Sequence, residues 1–180
     1  MKVLGLAGSY RTDSTNKMLL NIIQQSGDFE LNVTSLADFD VPLYNGDLEK
    51  SDGIPEGAAK FRDALGAADA LIIASPEYNY SYPGTLKNLI DWTSRFRPFP
   101  FQGVPTLLVS TSPGMVGGNR GLLQLRTPLA YLGANLYPSM FSLGKFGETV
   151  VDGEIAVDAL STQLEKLLAD FAIFSGKLGA

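Results

Sequence analysis

The sequence contains no histidine and no cysteine among its 180 residues. A Ser-His-Asp triad, a cysteine nucleophile, a disulfide framework and a zinc site of nitrogen and sulfur ligands are therefore excluded, because each needs imidazole or thiol groups. No metal site is expected. If the protein is an enzyme, we expect its reactive group to be a carboxylate, a lysine, a tyrosine or a bound cofactor.

Positive charge and long apolar runs are also scarce. Lysine and arginine number 14 against 19 aspartate and glutamate residues, which leaves a net charge of −5 and a pI near 4.7. This balance argues against a nucleic-acid-binding surface, which needs basic side chains, and does not favour an anionic membrane. No apolar run approaches the ~20 residues of a membrane span, and the first one is too short for a signal peptide. We therefore expect no nucleic-acid or membrane partner and a cytoplasmic location.

Hydrophobic residues make up 45% of the chain and charged residues 18%, a composition typical of globular proteins. The length predicts a single domain over residues 1–180. Apolar runs predict strands that alternate with helices of 3.6-residue periodicity. The predicted strands are residues 3–7, 31–36, 70–75, 106–110 and 135–140, and the predicted helices are residues 16–25, 55–68, 83–95, 122–132 and 160–171.

This alternation predicts a parallel sheet with helices on both faces. About five strands in a chain of this length fit a flavodoxin-like three-layer α/β/α sandwich, with a five-stranded parallel sheet in the order 2-1-3-4-5. Such folds bind ligands beyond the carboxyl ends of the strands, where the strand order reverses. The loops that follow Ala7, Ser75 and Ser110 should therefore converge. Residues 37–55 show little periodicity and are predicted to form an unusually long connection.

The loop after the first strand is rich in small polar donors. Its polar side chains include Ser9, Arg11, Ser14, Thr15 and Asn16. A loop that leaves a strand and opens a helix favours an anion, and a planar guanidinium suits a phosphate group. The Walker A and G-x-G-x-x-G patterns are both missing, which removes the main support for triphosphate hydrolysis or a dinucleotide site. Serine and asparagine also commonly cap helices, so a purely structural interpretation stays open.

The loop after the third strand combines aromatic rings with rigid residues. It contains Pro76, Glu77, Tyr78, Asn79, Tyr80, Tyr82 and Pro83. Its flat faces, hydroxyl groups and restricted backbone favour a planar heteroaromatic ligand. The alternative is that each tyrosine is a half-buried packing or interface residue.

Two motifs in these loops carry a family resemblance. They read G-S-x-R-x-x-S-x-N over residues 8–16 and P-E-Y-N-x-S-x-P-G over residues 76–84, continued by L-K-N-x-I-D-W over residues 86–92. Together they resemble the NAD(P)H-dependent FMN reductase family, a flavodoxin-like group with azoreductase-like, chromate-reducing and quinone-reducing members. The likeness extends over residues 2–137 and includes L-Y-N-x-D-L-E at 43–49 and G-G-x-R at 117–120.

The resemblance implies a set of cofactor-binding residues. Ser9, Arg11, Ser14, Thr15 and Asn16 would hold the FMN phosphate, and Pro76, Glu77, Tyr78 and Asn79 would line the isoalloxazine. Ser112, Pro113, Gly114 and Gly117 would lie near the flavin. The two glycines fit a backbone that passes close to a ring, but they equally fit a plain turn before a helix. No side chain is expected to be catalytic, because the flavin N5 carries the chemistry.

The activity implied is that of an NAD(P)H-dependent FMN oxidoreductase. Electrons from NADPH or NADH would pass through bound FMN to quinone, azo, flavin or metal-oxyanion acceptors by a ping-pong mechanism. The family likeness also implies a homodimer or homotetramer. A non-enzymatic flavin-binding electron carrier or redox-responsive regulator is the main alternative, and a nucleotide- or sugar-phosphate-binding enzyme is a weaker one.

Charged residues outside the two loops have competing interpretations. Lys87 invites a catalytic role, although a helix-surface charge beside a partner-facing Trp92 is commoner. Four arginines, Arg95, Arg97, Arg120 and Arg126, are candidates for contact with the phosphates of a nicotinamide cofactor, or are ordinary solvated or interface side chains.

Overall fold

A computed structural model describes residues 1–178 and contains one main parallel sheet. Its strands are β1 (Lys2–Ala7), β2 (Glu30–Ser35), β3 (Ala70–Ala74), β4 (Pro105–Thr111), β5 (Asn135–Leu136) and β6 (Phe141–Leu143). The helices are α1 (Thr15–Ser26), α2 (Gly46–Asp52), α3 (Glu56–Gly66), α4 (Gly84–Thr93), α5 (Asn119–Tyr131), α6 (Phe146–Thr149) and α7 (Asp158–Leu178). The strand order is β2-β1-β3-β4-β5, which confirms the predicted flavodoxin-like topology.

The sheet lies between two hydrophobic clusters because its central strands bury both faces. Every residue of β3 and β4 is buried, as their continuous apolar runs predict. In β1, Leu4 and Leu6 join the cluster that contains α3, α4 and α5, whereas Val3 and Ala7 join the cluster that contains α1 and α7. Since successive side chains of a strand point to opposite faces, the two clusters lie on opposite sides of the sheet.

The outer position beside β4 is occupied by two short strands rather than by the predicted single strand over residues 135–140. The first of them, β5, pairs with Pro105 and Thr106, and β6 pairs with the distal end of β4 at Val109 to Thr111. Pro138 lies in the interruption between them, and proline has no backbone N–H to donate to a ladder. The predicted order is therefore correct, but its fifth position is divided.

The connection over residues 37–55 contains secondary structure that periodicity did not predict. A short 3₁₀ helix covers Leu36–Phe39, and α2 follows. The side chain of Asn45 caps α2 by accepting from the N–H of Asp47 at 2.9 Å, and Gly53 ends it with φ of 80°. No residue of α2 is buried, so the helix leaves no apolar stripe in the sequence.

Trp92 is buried in the protein, and the prediction that it faces a partner is wrong. Its indole N–H donates to the carbonyl oxygen of Pro42 at 2.7 Å, and its ring centroid lies 4.9 Å from that of Tyr44. The last turns of α4 and the connection before α2 are therefore packed together.

The part after β6 adds a small antiparallel hairpin and the long helix α7. The hairpin pairs Val150–Val151 (β7) with Glu154–Ile155 (β8). Asp152 and Gly153 both have positive φ in the intervening turn, as an Asp-Gly hairpin turn requires. Within residues 1–178, no helix is both long and apolar enough to cross a membrane.

Gly57 in α3 permits a close approach that any side chain would block. A β-carbon at this position would lie 2.7 Å from the carbonyl carbon of Asp40 and would overlap its oxygen. Gly57→Ala should therefore lower the free energy of unfolding by about 1–3 kcal/mol, measured by urea denaturation. Gly66→Ala in the same helix is the control: its β-carbon would meet nothing within 4 Å, so it should raise stability by up to about 1 kcal/mol. Equal effects at both glycines would contradict the packing.

Candidate functional site

Three loops meet at the carboxyl edge of the sheet, as the topology predicts. They follow β1, β3 and β4 and cover residues 8–14, 75–83 and 112–118. The N–H of Gly8 donates to the carbonyl oxygen of Ala74 at 2.8 Å, and the hydroxyl of Ser110 donates to the carbonyl oxygen of Ser75 at 2.7 Å. Hydrogen bonds at their bases therefore hold the loops at fixed separations.

A polar cleft of about 130 Å³ lies between the loops. Ten residues expected from the sequence line it: Ser9, Arg11, Ser14, Thr15, Asn16, Pro76, Glu77, Tyr78, Ser112 and Pro113. Thr111 also lines the cleft and was not singled out in the sequence. It directly precedes Ser112 in the chain, which is the one signal that could have identified it.

The serines of the first loop combine a structural bond with a free donor. Ser14 caps α1, where its Oγ accepts from the N–H of Lys17 at 3.3 Å. Ser9 Oγ accepts from the N–H of Arg11 at 3.2 Å in the same way. Because a hydroxyl that accepts still carries its own hydrogen, both side chains can also donate to an anion. Capping and anion binding are thus compatible for Ser14.

Asn16 joins the start of α1 to the end of β4. Its Nδ2 donates to the carbonyl oxygen of Thr111 at 3.0 Å, and its Oδ1 accepts from the N–H of Thr111 at 3.1 Å. The side chain is almost fully buried. These bonds use one of the two Nδ2 hydrogens, so Asn16 can offer an anion its second Nδ2 hydrogen as well as its main-chain N–H in the first turn of the helix.

Arg11 is the cation of the cleft, and Asp13 binds it. The Nη2 and Nε atoms of Arg11 donate to the two carboxylate oxygens of Asp13 at 2.8 and 3.1 Å. The hydrogen bond from Arg11, followed by its charge, holds the pKa of Asp13 below its ordinary value. Sequence reasoning missed Asp13, although an acid two residues after the arginine in one loop was a visible signal.

The carboxylate of Glu77 reaches α5 from the lining of the cleft. Its Oε2 accepts from the N–H of Gly121 at 3.0 Å, and its Oε1 lies 3.9 Å from Nη1 of Arg120. Arg120 also lies over the ring of Tyr80, with its guanidinium carbon 4.4 Å from the ring centroid. The loop after β3 is therefore fixed to α5 by Glu77 and by Tyr80.

The aromatic loop itself closes in a tight turn. The backbone groups of Tyr78 and Ser81 bond to each other in both directions, at 2.8 and 3.0 Å. Between them Asn79 and Tyr80 have φ of 51° and 67°, the left-handed values of a type I′ turn. Asn79 lies in this turn and is not among the residues that line the polar cleft. Its predicted contact with a cofactor stays a prediction.

An apolar hollow of about 490 Å³ adjoins the polar cleft. Its lining residues are Tyr10, Val41, Leu43, Tyr78, Pro83, Gly84, Thr85 and Asn88. Tyr78 lines both spaces, so they are neighbours. The polar cleft is smaller than the roughly 300–1,000 Å³ of a typical ligand pocket, whereas the hollow is within that range. The pair suits a ligand with an anionic end and a flat apolar ring.

Gly114 and Gly117 anchor the third loop to the chain after β6. A β-carbon on Gly117, which has φ of 64°, would lie 2.7 Å from the carbonyl carbon of Leu143. The carbonyl oxygen of Gly114 accepts from the N–H of Lys145 at 3.0 Å. Neither glycine is among the residues that line the cleft. Their geometry agrees with the alternative of a structural turn, and a flavin contact stays a prediction.

Of the arginines considered for a nicotinamide cofactor, Arg120 contacts a lining residue of the cleft, Glu77. The other three bond to groups outside that lining: Arg95 to Glu49, Arg97 to the carbonyl oxygen of Phe96, and Arg126 to the carbonyl oxygen of Tyr137. Lys87 forms an i,i+4 ion pair on α4 with Asp91 at 2.6 Å. That pair agrees with the helix-surface interpretation of Lys87.

Proteins similar to this chain include FMN reductases and quinone reductases. The family model described as NADPH-dependent FMN reductase matches residues 1–148. A quinone reductase of Escherichia coli is 34% identical over 91% of this chain and 92% of its own, and an NAD(P)H-dependent FMN reductase of Pseudomonas aeruginosa is 41% identical over 73% and 71%. The solved structure of FerB, a flavoenzyme NAD(P)H:(acceptor) oxidoreductase of Paracoccus denitrificans, superposes with a TM-score of 0.83 at 28% identity over 98% and 97% of the two chains.

The double hydrogen bond of Asn16 predicts a large loss of stability on its removal. Asn16→Ala would leave the buried N–H and carbonyl of Thr111 without their partners and should lower the free energy of unfolding by about 2–4 kcal/mol. Urea denaturation without added ligand measures this loss. Asn135→Ala is the matched control, because Asn135 donates one exposed hydrogen bond to Gly103, and it should lose less than about 1 kcal/mol. Similar losses for both variants would show that the bridge to β4 contributes little.

Proposed function

The chain belongs to the NADPH-dependent FMN reductase family, and from this we propose that it passes electrons from NADPH or NADH, through FMN bound between the three loops, to quinones. It is an oxidoreductase with FMN as cofactor and NAD(P)H as co-substrate, as the family and its relatives indicate. The observation that carries the site assignment is the continuity of the polar cleft and the apolar hollow at Tyr78.

The donors of the cleft fit the phosphate end of FMN. The hydroxyls of Ser9, Ser14, Thr15 and Ser112 are neutral donors, and Arg11 adds positive charge beside the N-terminus of α1. Glu77 is the one carboxylate side chain in the lining, and its oxygens face Gly121 and Arg120. Glu77 therefore does not present a free carboxylate to a phosphate in the cleft.

The second and third loops would orient the ring. When bound, FMN supplies the electron-transfer chemistry, so the chain needs no acid, base or nucleophile of its own. Tyr78 offers a face at the junction of the two spaces, and Pro76 and Glu77 can contribute backbone groups to the ring edge. The apolar residues of the hollow, Val41 and Leu43 among them, would keep water from a planar guest.

The hollow also supports the finer parts of the proposal. Quinones, azo compounds and free flavins are flat aromatic molecules that such a surface can accept, and we include metal oxyanions as smaller acceptors. Because one apolar hollow adjoins the cleft, the nicotinamide and the acceptor would stack in turn on the same face of a flavin ring held there, which is the basis for proposing a ping-pong order. A homodimer or homotetramer would cover Leu43, which is 82% exposed. A single domain over residues 1–180 and a cytoplasmic location stay predictions.

Purified protein should bind FMN and oxidise NADPH or NADH in an FMN-dependent reaction. Mixing it with excess FMN and removing free flavin should leave a visible flavin absorption band, and a quinone should accelerate nicotinamide oxidation further. A pure electron carrier would retain the flavin but would not be reduced rapidly by NAD(P)H. Absence of both the band and the reaction would refute the proposal.

Arg11→Ala should weaken FMN binding by roughly ten- to a hundredfold, because it removes a charge-assisted hydrogen bond to the phosphate. Quenching of FMN fluorescence on binding measures the Kd. The exposed side chain should contribute little to folding, so urea denaturation without flavin should be unchanged. Arg62→Ala is the matched control, since Arg62 also pairs with an exposed aspartate, Asp63 at 2.7 Å, but lies on α3. Equal affinity of the Arg11 variant and the parent protein would refute the phosphate assignment.

A further inference from the structure

In the Arg11–Asp13 ion pair, a carboxylate binds the one cation among the residues that line the cleft, although Asp13 itself is not one of those residues. We propose that Asp13 is an internal anion that competes with the FMN phosphate for Arg11, so that it weakens FMN binding and speeds FMN release. This inference rests on the proposed function, because it assumes that Arg11 contacts the phosphate.

The geometry makes Asp13 an effective competitor. Its two oxygens accept from Nε and Nη2 of Arg11, the side-on edge that a carboxylate or phosphate can bind with two parallel bonds. Arg11 is the only lysine or arginine among the residues that line the cleft. A phosphate that takes this edge must displace Asp13, and one that takes another edge still lies beside a like charge.

The ion pair between Arg11 and Asp13 is weak enough for a ligand to break. The side chains of Arg11 and Asp13 are 66% and 69% exposed, and exposed ion pairs contribute little net free energy. An aspartate is ionised at neutral pH, and Arg11 lowers the pKa of Asp13 further through its hydrogen bond and its charge. Asp13 therefore reduces affinity without closing the site to the ligand.

Asp13 is not needed to start the helix that it precedes. Ser14 caps α1, and the bonds that the Asp13 side chain accepts from another residue are those from Arg11. Replacing the carboxylate should thus change the charge at the site and leave the loop and helix in place. The functional consequence would be faster exchange of the FMN cofactor, because the Asp13 carboxylate binds Arg11 again as the phosphate leaves.

The test compares Asp13→Asn with the parent protein for FMN binding and release. Fluorescence quenching should give a Kd about two- to fivefold lower for the variant, and stopped-flow displacement should show that slower release causes most of the change. Because the variant no longer neutralises Arg11 internally, its FMN affinity should fall more steeply with added salt than that of the parent. Unchanged or weaker binding by Asp13→Asn would overturn the proposal.

Two controls separate competition for Arg11 from general charge effects. Asp170→Asn removes an equal charge from an exposed ion pair on α7, with Lys166 at 2.9 Å, and should leave the Kd and release rate unchanged. In an Arg11→Ala background, Asp13→Asn should lose at least half of its effect, whereas full additivity would indicate simple repulsion and overturn the competition.

The result also distinguishes this inference from the proposed function. If the parent protein does not bind FMN, both are wrong. If the parent binds FMN and Asp13→Asn behaves identically, only the role of Asp13 is wrong. Urea denaturation verifies that the variant is folded, and Asp13→Ser provides a second neutral side chain with the same expected tightening.

Discussion

Burial of both faces of β3 and β4 is the constraint on which the remaining structure depends. Strands without a polar face need helices on each side, and parallel neighbours can be connected only by crossovers that pass over those faces. Each crossover begins at the carboxyl end of a strand, so the loops after β1, β3 and β4 meet at one edge. The cleft therefore follows from the hydrophobic core, although none of its polar residues contributes to that core's apolar surface.

At the site, residues of similar chemical type have different roles, some structural and some available to a ligand. Ser14 and Asn16 are two positions apart, yet Ser14 caps α1 with its hydroxyl, whereas the amide of Asn16 joins α1 to Thr111 of β4. Glu77 and Asp13 are both acids near the cleft. Glu77 accepts from the N–H of Gly121 in α5, whereas Asp13 accepts from the guanidinium of Arg11. The hydrogen-bond partners, rather than the residue type, distinguish side chains that fix the loops from side chains that can bind a ligand.

Sequence patterns predicted the features that arise from local periodicity or from chain order. The apolar run of β3 identified a central strand, and the strand order followed from alternation with helices. Three features could not be predicted in this way. The helix α2 buries none of its residues and leaves no stripe, Pro138 divides the outer strand position, and the bond from Asn16 to Thr111 joins residues 95 apart in the chain. A contact between side chains so far apart in the chain is visible only in the three-dimensional structure.

The left-handed turn at Asn79 and Tyr80 has a consequence for affinity. A tyrosine with φ of 67° is costly by roughly 1–3 kcal/mol, and it persists where surrounding contacts impose it. Here the bonds between Tyr78 and Ser81 and the guanidinium of Arg120 impose it in the free protein. The conformational entropy of the turn from Tyr78 to Ser81 is thus lost when the protein folds and not when a ligand binds. A planar ligand can then bind with a modest contact area, and it can dissociate without a rearrangement of this turn.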